Sequence, residues 1–190
     1  MKIIYSIIVL FITSITYGQS FKTTTEYTIS NLKSVLNTTK VDYDKQFEVY
    51  LLKKDEPLVK LIALTKNDLD LFLDTSIEIL ESPNLKNVKA IIRVKFDFLA
   101  CCIETETQYF TISNENLLTK LPVLNFTQCE VSSSKLEYIF PNQENGQDNV
   151  ILETISHINK KDNTKSIKIL NRIVWEEKNA VEAYSYNYEN

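Results

Sequence analysis

The side chains best suited to chemistry gather in one stretch, Phe96 to Phe110, FDFLACCIETETQYF. Cys101 and Cys102 are adjacent there, and Glu104 and Glu106 follow. A nucleophilic cysteine needs an electropositive, partly exposed setting that lowers its pKa. Here the neighbours are Phe98, Leu99 and Ile103, then two glutamates, and the one histidine that could act as base is His157. The stretch reads as a strand, which would send Cys101 and Cys102 to opposite faces and deny them a shared task. Two inert roles remain. A cysteine can be a small buried hydrophobe, or it can join a disulfide with Cys129 on a later strand. The small buried hydrophobe is the favoured role. For a disulfide, Cys102–Cys129 is one candidate, the choice between Cys101 and Cys102 as partner of Cys129 stays open, and an odd thiol is left over in either case.

Other candidates are weaker. Glu104 and Glu106 share a strand face, and paired carboxylates can do acid–base work, but Glu104-Thr105-Glu106-Thr107 reads more simply as a solvated strand end or turn. The segment from Asn142 to Asn149 is rich in Asn, Gln, Asp and Glu, as calcium loops are. Its spacing fails, because Leu152 stands where an EF-hand requires a glutamate. His157 lies on an expected strand whose faces are both mixed, and it reads as a structural or surface residue. Tyr184, Tyr186 and Tyr188 alternate at the end of the chain, as an edge strand does. They could also offer a stacking surface to a sugar ring or a protein.

Glycine and histidine set firm limits. The chain has two glycines, Gly18 and Gly146, and a single histidine. Phosphate-cradling loops, dinucleotide fingerprints and the Gly-x-Ser-x-Gly elbow each need two or more glycines close together. Histidine-based zinc motifs need at least two histidines. No catalytic residue, cofactor or metal ligand is therefore assigned.

The first residues carry an address. Lys2 is followed by an apolar run from Ile3 to Ile12 and a short polar zone ending at Tyr17-Gly18-Gln19, the layout of a secretory signal peptide. A membrane-spanning helix needs about twenty apolar residues, and Thr13, Ser14 and Thr16 interrupt this run. The expected division is a leader over residues 1–18 and one globular domain over residues 19–190. It predicts a secreted or periplasmic protein with no membrane span after cleavage. The formal charge of −4 becomes more negative by one once Lys2 leaves, which disfavours nucleic acid as a partner. With its Lys-, Asn- and Ile-rich composition, the chain resembles small exported bacterial proteins, a likeness that implies no activity.

The elements that would position these residues are mostly strands. FEVYLLK and LVKLIALT flank a polar turn at Lys54-Asp55-Glu56-Pro57 and predict a hairpin. Thr65 with Asp68 resembles a capping box, and Leu69, Phe72, Leu73, Ile77 and Leu80 fit one helical face, predicting a helix from Lys66 to Glu81. Val88 to Ala100 alternates with period two, and Tyr109 to Ile112 reads as its returning partner. A short amphipathic helix near Ser30 and another over Ser113 to Leu121 are weaker expectations. Strands follow at Val123 to Val131, Lys135 to Phe140, Val150 to Ile158 and Ser166 to Trp175. Asn145-Gly146 is read as a type I′ hairpin turn with glycine at positive φ.

The predicted class is α+β, a mainly antiparallel sheet of hairpins with one principal helix packed on a face. The alternative is a β-barrel-like all-β domain with peripheral helices. The expected role is a non-enzymatic interaction or structural module for an unknown protein or glycan. Its alternatives are a small-ligand binder with a β-lined apolar cavity and a carboxylate-dependent hydrolase.

Overall fold

The computed structural model describes residues 18–30, 46–129, 133–158 and 164–176. The signal segment before Gly18, the helix expected near Ser30 and Tyr184, Tyr186 and Tyr188 lie outside them.

The described residues form twelve strands and one short helix. These are β1 (Lys22–Thr23), β2 (Tyr27–Ile29), β3 (Phe47–Lys53), β4 (Glu56–Leu64), α1 (Lys66–Leu71), β5 (Phe72–Glu81), β6 (Val88–Leu99), β7 (Ile103–Ser113), β8 (Leu118–Lys120), β9 (Leu124–Gln128), β10 (Ser133–Ile139), β11 (Val150–Ile158) and β12 (Lys165–Val174). They build three antiparallel sheets. A six-stranded sheet runs β1-β5-β6-β7-β8, with β9 sharing the β7 edge. Two three-stranded sheets, β2-β3-β4 and β10-β11-β12, complete the set.

The six-stranded sheet is central. On one face Ala90, Ile92, Val94 and Phe96 of β6 and Phe110 and Ile112 of β7 pack with Val49, Leu51, Leu61 and Leu64 of the β2-β3-β4 sheet. On the other, Leu80, Ile91 and Tyr109 pack with Tyr138, Phe140, Ile151 and Trp175 on the side of the β10-β11-β12 sheet. Full burial of each such side chain contributes roughly 1.5–3 kcal/mol, so two cores share one sheet. Gln108, fully buried on β7, donates from Nε2 to Leu61 O at 2.9 Å and ties the central sheet to β4. Trp175 Nε1 donates to Lys86 O at 3.1 Å and pins the end of the outer sheet to the β5–β6 loop.

The fold is thus mostly antiparallel β-sheet, and the expected α+β architecture with a principal helix is corrected. Thr65 does cap a helix, with the reciprocal Thr65–Asp68 capping box formed. That helix ends at Leu71, and Phe72–Glu81 is strand β5, paired to β6 from Phe72↔Phe98 to Glu81↔Ala90. The spacing that fits a helical face also contains the alternation Thr75, Ile77, Ile79. Pairing with the apolar strand β6 decides between the two periods. The all-β alternative is nearer, but its sheets stack rather than close into a barrel. The segment expected as a helix over Ser113 to Leu121 is a turn and strand β8, paired to β7 at Phe110, Thr111 and Ile112. Among the described residues no helix is long and apolar enough to cross a membrane.

Two turns exchange roles relative to expectation. Lys54 and Asp55 both have positive φ, at 51° and 67°, between the paired residues Lys53 and Glu56. That is the conformation of a type I′ turn, reached without glycine. Asn145-Gly146 instead lies in a longer connection between β10 and β11. Asn145 takes φ 65°, and Gly146 has no positive φ. A Cβ on Gly146 would stand 2.3 Å from Phe140 O and 2.7 Å from Pro141 O. Close backbone approach, not handedness, demands glycine there.

Candidate cleft on the central sheet and the cysteine turn

The β10-β11-β12 sheet covers only part of its face of the central sheet. Strand register arranges that face in rows. Glu78, Arg93 and Tyr109 form one row, and Ser76, Lys95 and Thr107 the next. Asp74, Asp97 and Thr105 follow, then Leu99 and Ile103. β9 extends the rows with Leu124 beside Thr107, Phe126 beside Thr105 and Gln128 beside Ile103. The first row is roofed by the outer sheet. From that row outward, Arg93, Lys95, Asp97, Thr105 and Ile103 floor a cleft of about 350 Å³, whose far wall is Ser134, Lys135 and Leu136 of β10.

The cleft grades from charged to apolar. At its inner end Arg93 donates from Nε to Glu78 at 2.9 Å, and its guanidinium lies 3.7 Å from Glu137, which also pairs with Lys135. Along the floor Lys95 meets Asp97 at 2.7 Å, and the Thr105 hydroxyl donates to the other Asp97 oxygen at 2.6 Å. At the mouth Leu73, Ile103 and Phe126 supply apolar surface. Leu73 occupies the bulge where the β5–β6 register shifts between Phe72 and Asp74. Leu73 and Leu99 are each 51% exposed and Ile103 is 40% exposed, unusual for side chains of this size in adjoining positions.

Below the charged end, Tyr109 and Tyr138 stack edge-on with ring centres 5.0 Å apart. Burial pushes both phenols up to about 12 and keeps them neutral hydrogen-bonding groups at physiological pH.

A second cleft, of about 420 Å³, lies on the opposite face. It holds the glutamates singled out from sequence, Glu104 and Glu106, with Asp68 nearby. Both glutamates sit within β7, paired to β6 and β9, so neither belongs to a turn. Glu106 accepts from Gln108 Nε2 at 2.5 Å, and Asp68 is engaged in the helix cap. Among the described residues no group of three or more His, Cys, Asp or Glu side chains could hold a metal ion. Asn142, from the segment considered for calcium, donates through Nδ2 to Glu81 O, Ser82 O and Gln19 Oε1, which makes it a backbone staple. His157 is exposed, its Nδ1 2.6 Å from Ser134 Oγ.

The cysteines depart from expectation in two respects, since Cys101 and Cys102 stand in a turn and Cys101 is exposed rather than a small buried hydrophobe. β6 ends at Leu99 and β7 begins at Ile103, so Cys101 and Cys102 lie in the connecting turn, closed by Ala100 N–H donating to Cys102 O at 3.0 Å. They are not opposed across a strand, and their sulfurs are 3.7 Å apart. Cys102 and Cys129 are joined in a disulfide, and Cys101 is an exposed free thiol.

Sequence reasoning passed over the cleft. Arg93, Lys95 and Asp97 alternate with apolar residues on β6, and Thr105 and Thr107 lie on the same face of β7, a signal that this face is not fully covered. No protein-family model, curated protein or solved structure matches this chain.

Proposed function

We propose that this chain is an exported, non-enzymatic binding module. Its recognition surface is the open part of the central sheet, and the occupant is a protein partner that anchors an apolar side chain between Leu73, Ile103 and Phe126. The observation that carries the proposal is the half-covered sheet face, an exposed apolar mouth above a polar floor. The floor charges already neutralise one another through Arg93–Glu78 and Lys95–Asp97, so a charged ligand gains little there. The Thr105 hydroxyl, donating to Asp97, keeps an acceptor lone pair that suits a neutral donor such as a peptide N–H. Exposed apolar surface continues past the mouth onto Leu99 at the hairpin end, farther than a compact ligand would cover.

The hydrolase alternative draws no support from this arrangement. Carboxylates that do acid–base work must be open to the substrate, and Glu78, Asp97 and Glu137 are instead engaged with Arg93, Lys95 and Lys135. A small-ligand reading retains one favourable observation, since about 350 Å³ falls within the range of small-molecule sites. Native mass spectrometry of protein recovered without detergent separates the two. The expected result is a complex with a second polypeptide that Leu73→Lys with Ile103→Lys abolishes. A mass excess of a few hundred daltons would replace the partner with a small ligand. An unbound chain in every preparation would overturn the proposal.

A further inference from the structure

The β6–β7 turn carries an arrangement that the binding proposal does not use. Cys101 Sγ lies 3.7 Å from Cys102 Sγ, which is bonded to Cys129. The three sulfurs make one cluster, and only Cys101 is a thiol. We propose that this cluster is an intramolecular thiol–disulfide exchange site, in which Cys101 attacks the Cys102–Cys129 bond at Cys102.

The step balances without an added oxidant. Cys101 loses its proton, and its thiolate forms a bond to Cys102 Sγ. The Cys102–Cys129 bond breaks as that bond forms. Cys129 leaves as a thiolate and takes up a proton. One disulfide and one thiol stand on each side, as in any exchange of this class. The turn favours the encounter, because the hydrogen bond from Ala100 N–H to Cys102 O closes it with the two sulfurs 3.7 Å apart, and the attacking thiol is exposed.

The position of the equilibrium follows from covalent geometry. The product links neighbours across one peptide bond, whose Cα atoms are about 3.8 Å apart when trans. Ordinary disulfides span about 4.4–6.8 Å between Cα atoms, and the resting Cys102–Cys129 bond, at 4.3 Å, already sits at the short limit of that range, with the product shorter still. The Cys101–Cys102 form is therefore strained and minor, and an outside thiol reduces it more readily than the resting bond.

The exchange reaches the cleft through β9. Cys129 directly follows Gln128, whose Cα partner is Ile103. Phe126 and Gln128 on that strand line the cleft with Ile103. Releasing Cys129 removes the covalent tie between the end of β9 and the β6–β7 turn, which loosens one wall of the binding surface. The chemistry itself stands independently of any partner.

Peptide mapping of the full oxidised chain tests this. Protein incubated from pH 6 to pH 9 is quenched in acid, alkylated with N-ethylmaleimide and digested without reduction. The expected result is a minor population with Cys129 alkylated and Cys101 linked to Cys102. It should form faster at higher pH, at a rate independent of protein concentration. In Cys101→Ser the alkylated Cys129 should fall at least tenfold while the Cys102–Cys129 link persists. Alkylation confined to Cys101 at every pH and time would overturn the proposal. So would release of Cys129 at a rate that scales with protein concentration, which would mark exchange between molecules.

Discussion

The guanidinium carbon of Arg93 lies 4.1 Å from the centre of the Phe21 ring. Arg93 also bonds Glu78 and faces Glu137, so one side chain joins the N-terminal segment, the central sheet and β10. Its side chain is only 14% exposed. Arg93→Ala leaves two half-buried carboxylates short of a partner, which costs about 2–4 kcal/mol. Phe21→Leu removes the ring but keeps the apolar bulk, and costs about 1 kcal/mol. Urea unfolding of the two variants checks both values, and the arginine change should be the larger.

The buried phenols predict an alkaline limit. Tyr109 and Tyr138 titrate at about 12 in the folded protein and near 10 when unfolded. The folded state therefore holds more protons between these values. The stabilisation is complete below about pH 10 and is lost as pH rises towards about 12, at up to about 1.4 kcal/mol per pH unit for each group. Tyr109→Phe should flatten that slope. Unfolding free energy measured across pH 9 to 12 gives the comparison, and equal slopes in the two proteins would contradict the assignment.

Gly146 makes a steric prediction. Gly146→Ala drives a methyl group into Phe140 O and Pro141 O, and the loop must shift at a cost of about 1–3 kcal/mol. Asn145→Gly, at a position already holding φ 65°, should be neutral or slightly stabilising. Thermal melts of the pair decide whether close approach or φ sets the glycine requirement.

Export predicts a defined new terminus. Gln19 N–H donates to Asn142 O at 3.0 Å and Gln19 Oε1 accepts from Asn142 Nδ2 at 2.8 Å. A chain cleaved after Gly18 thus keeps its first residue docked. Intact mass of protein from the envelope or medium of the producing cell should match residues 19–190. Full-length chain confined to the cytosol would contradict export.

Strands with one dominant period were legible from sequence. The β3–β4 hairpin and β6 lie where alternation and turn residues put them, and Thr65 caps as its spacing with Asp68 indicated. Phe72 to Glu81 was not legible, because Leu69, Phe72, Leu73, Ile77 and Leu80 satisfy a helical period while Thr75, Ile77 and Ile79 satisfy a strand period. Pairing with β6, the next strand of the chain, breaks the tie, and a period count within the segment does not see it. The turn at Cys101 and Cys102 was hidden for a related reason, since no glycine, proline or asparagine punctuates it. The cleft depends on how much of one sheet another covers, and no local pattern encodes that overlap.

Position-specific photocrosslinking in the producing cell tests the binding surface most directly. A benzophenone amino acid placed at Leu73, at the mouth of the cleft, should give one discrete adduct with a second polypeptide. Ile103→Lys should remove that adduct. The same probe at Leu170, exposed on β12 of an outer sheet, should give none. Identical adducts from both positions, or none from Leu73, would contradict the account.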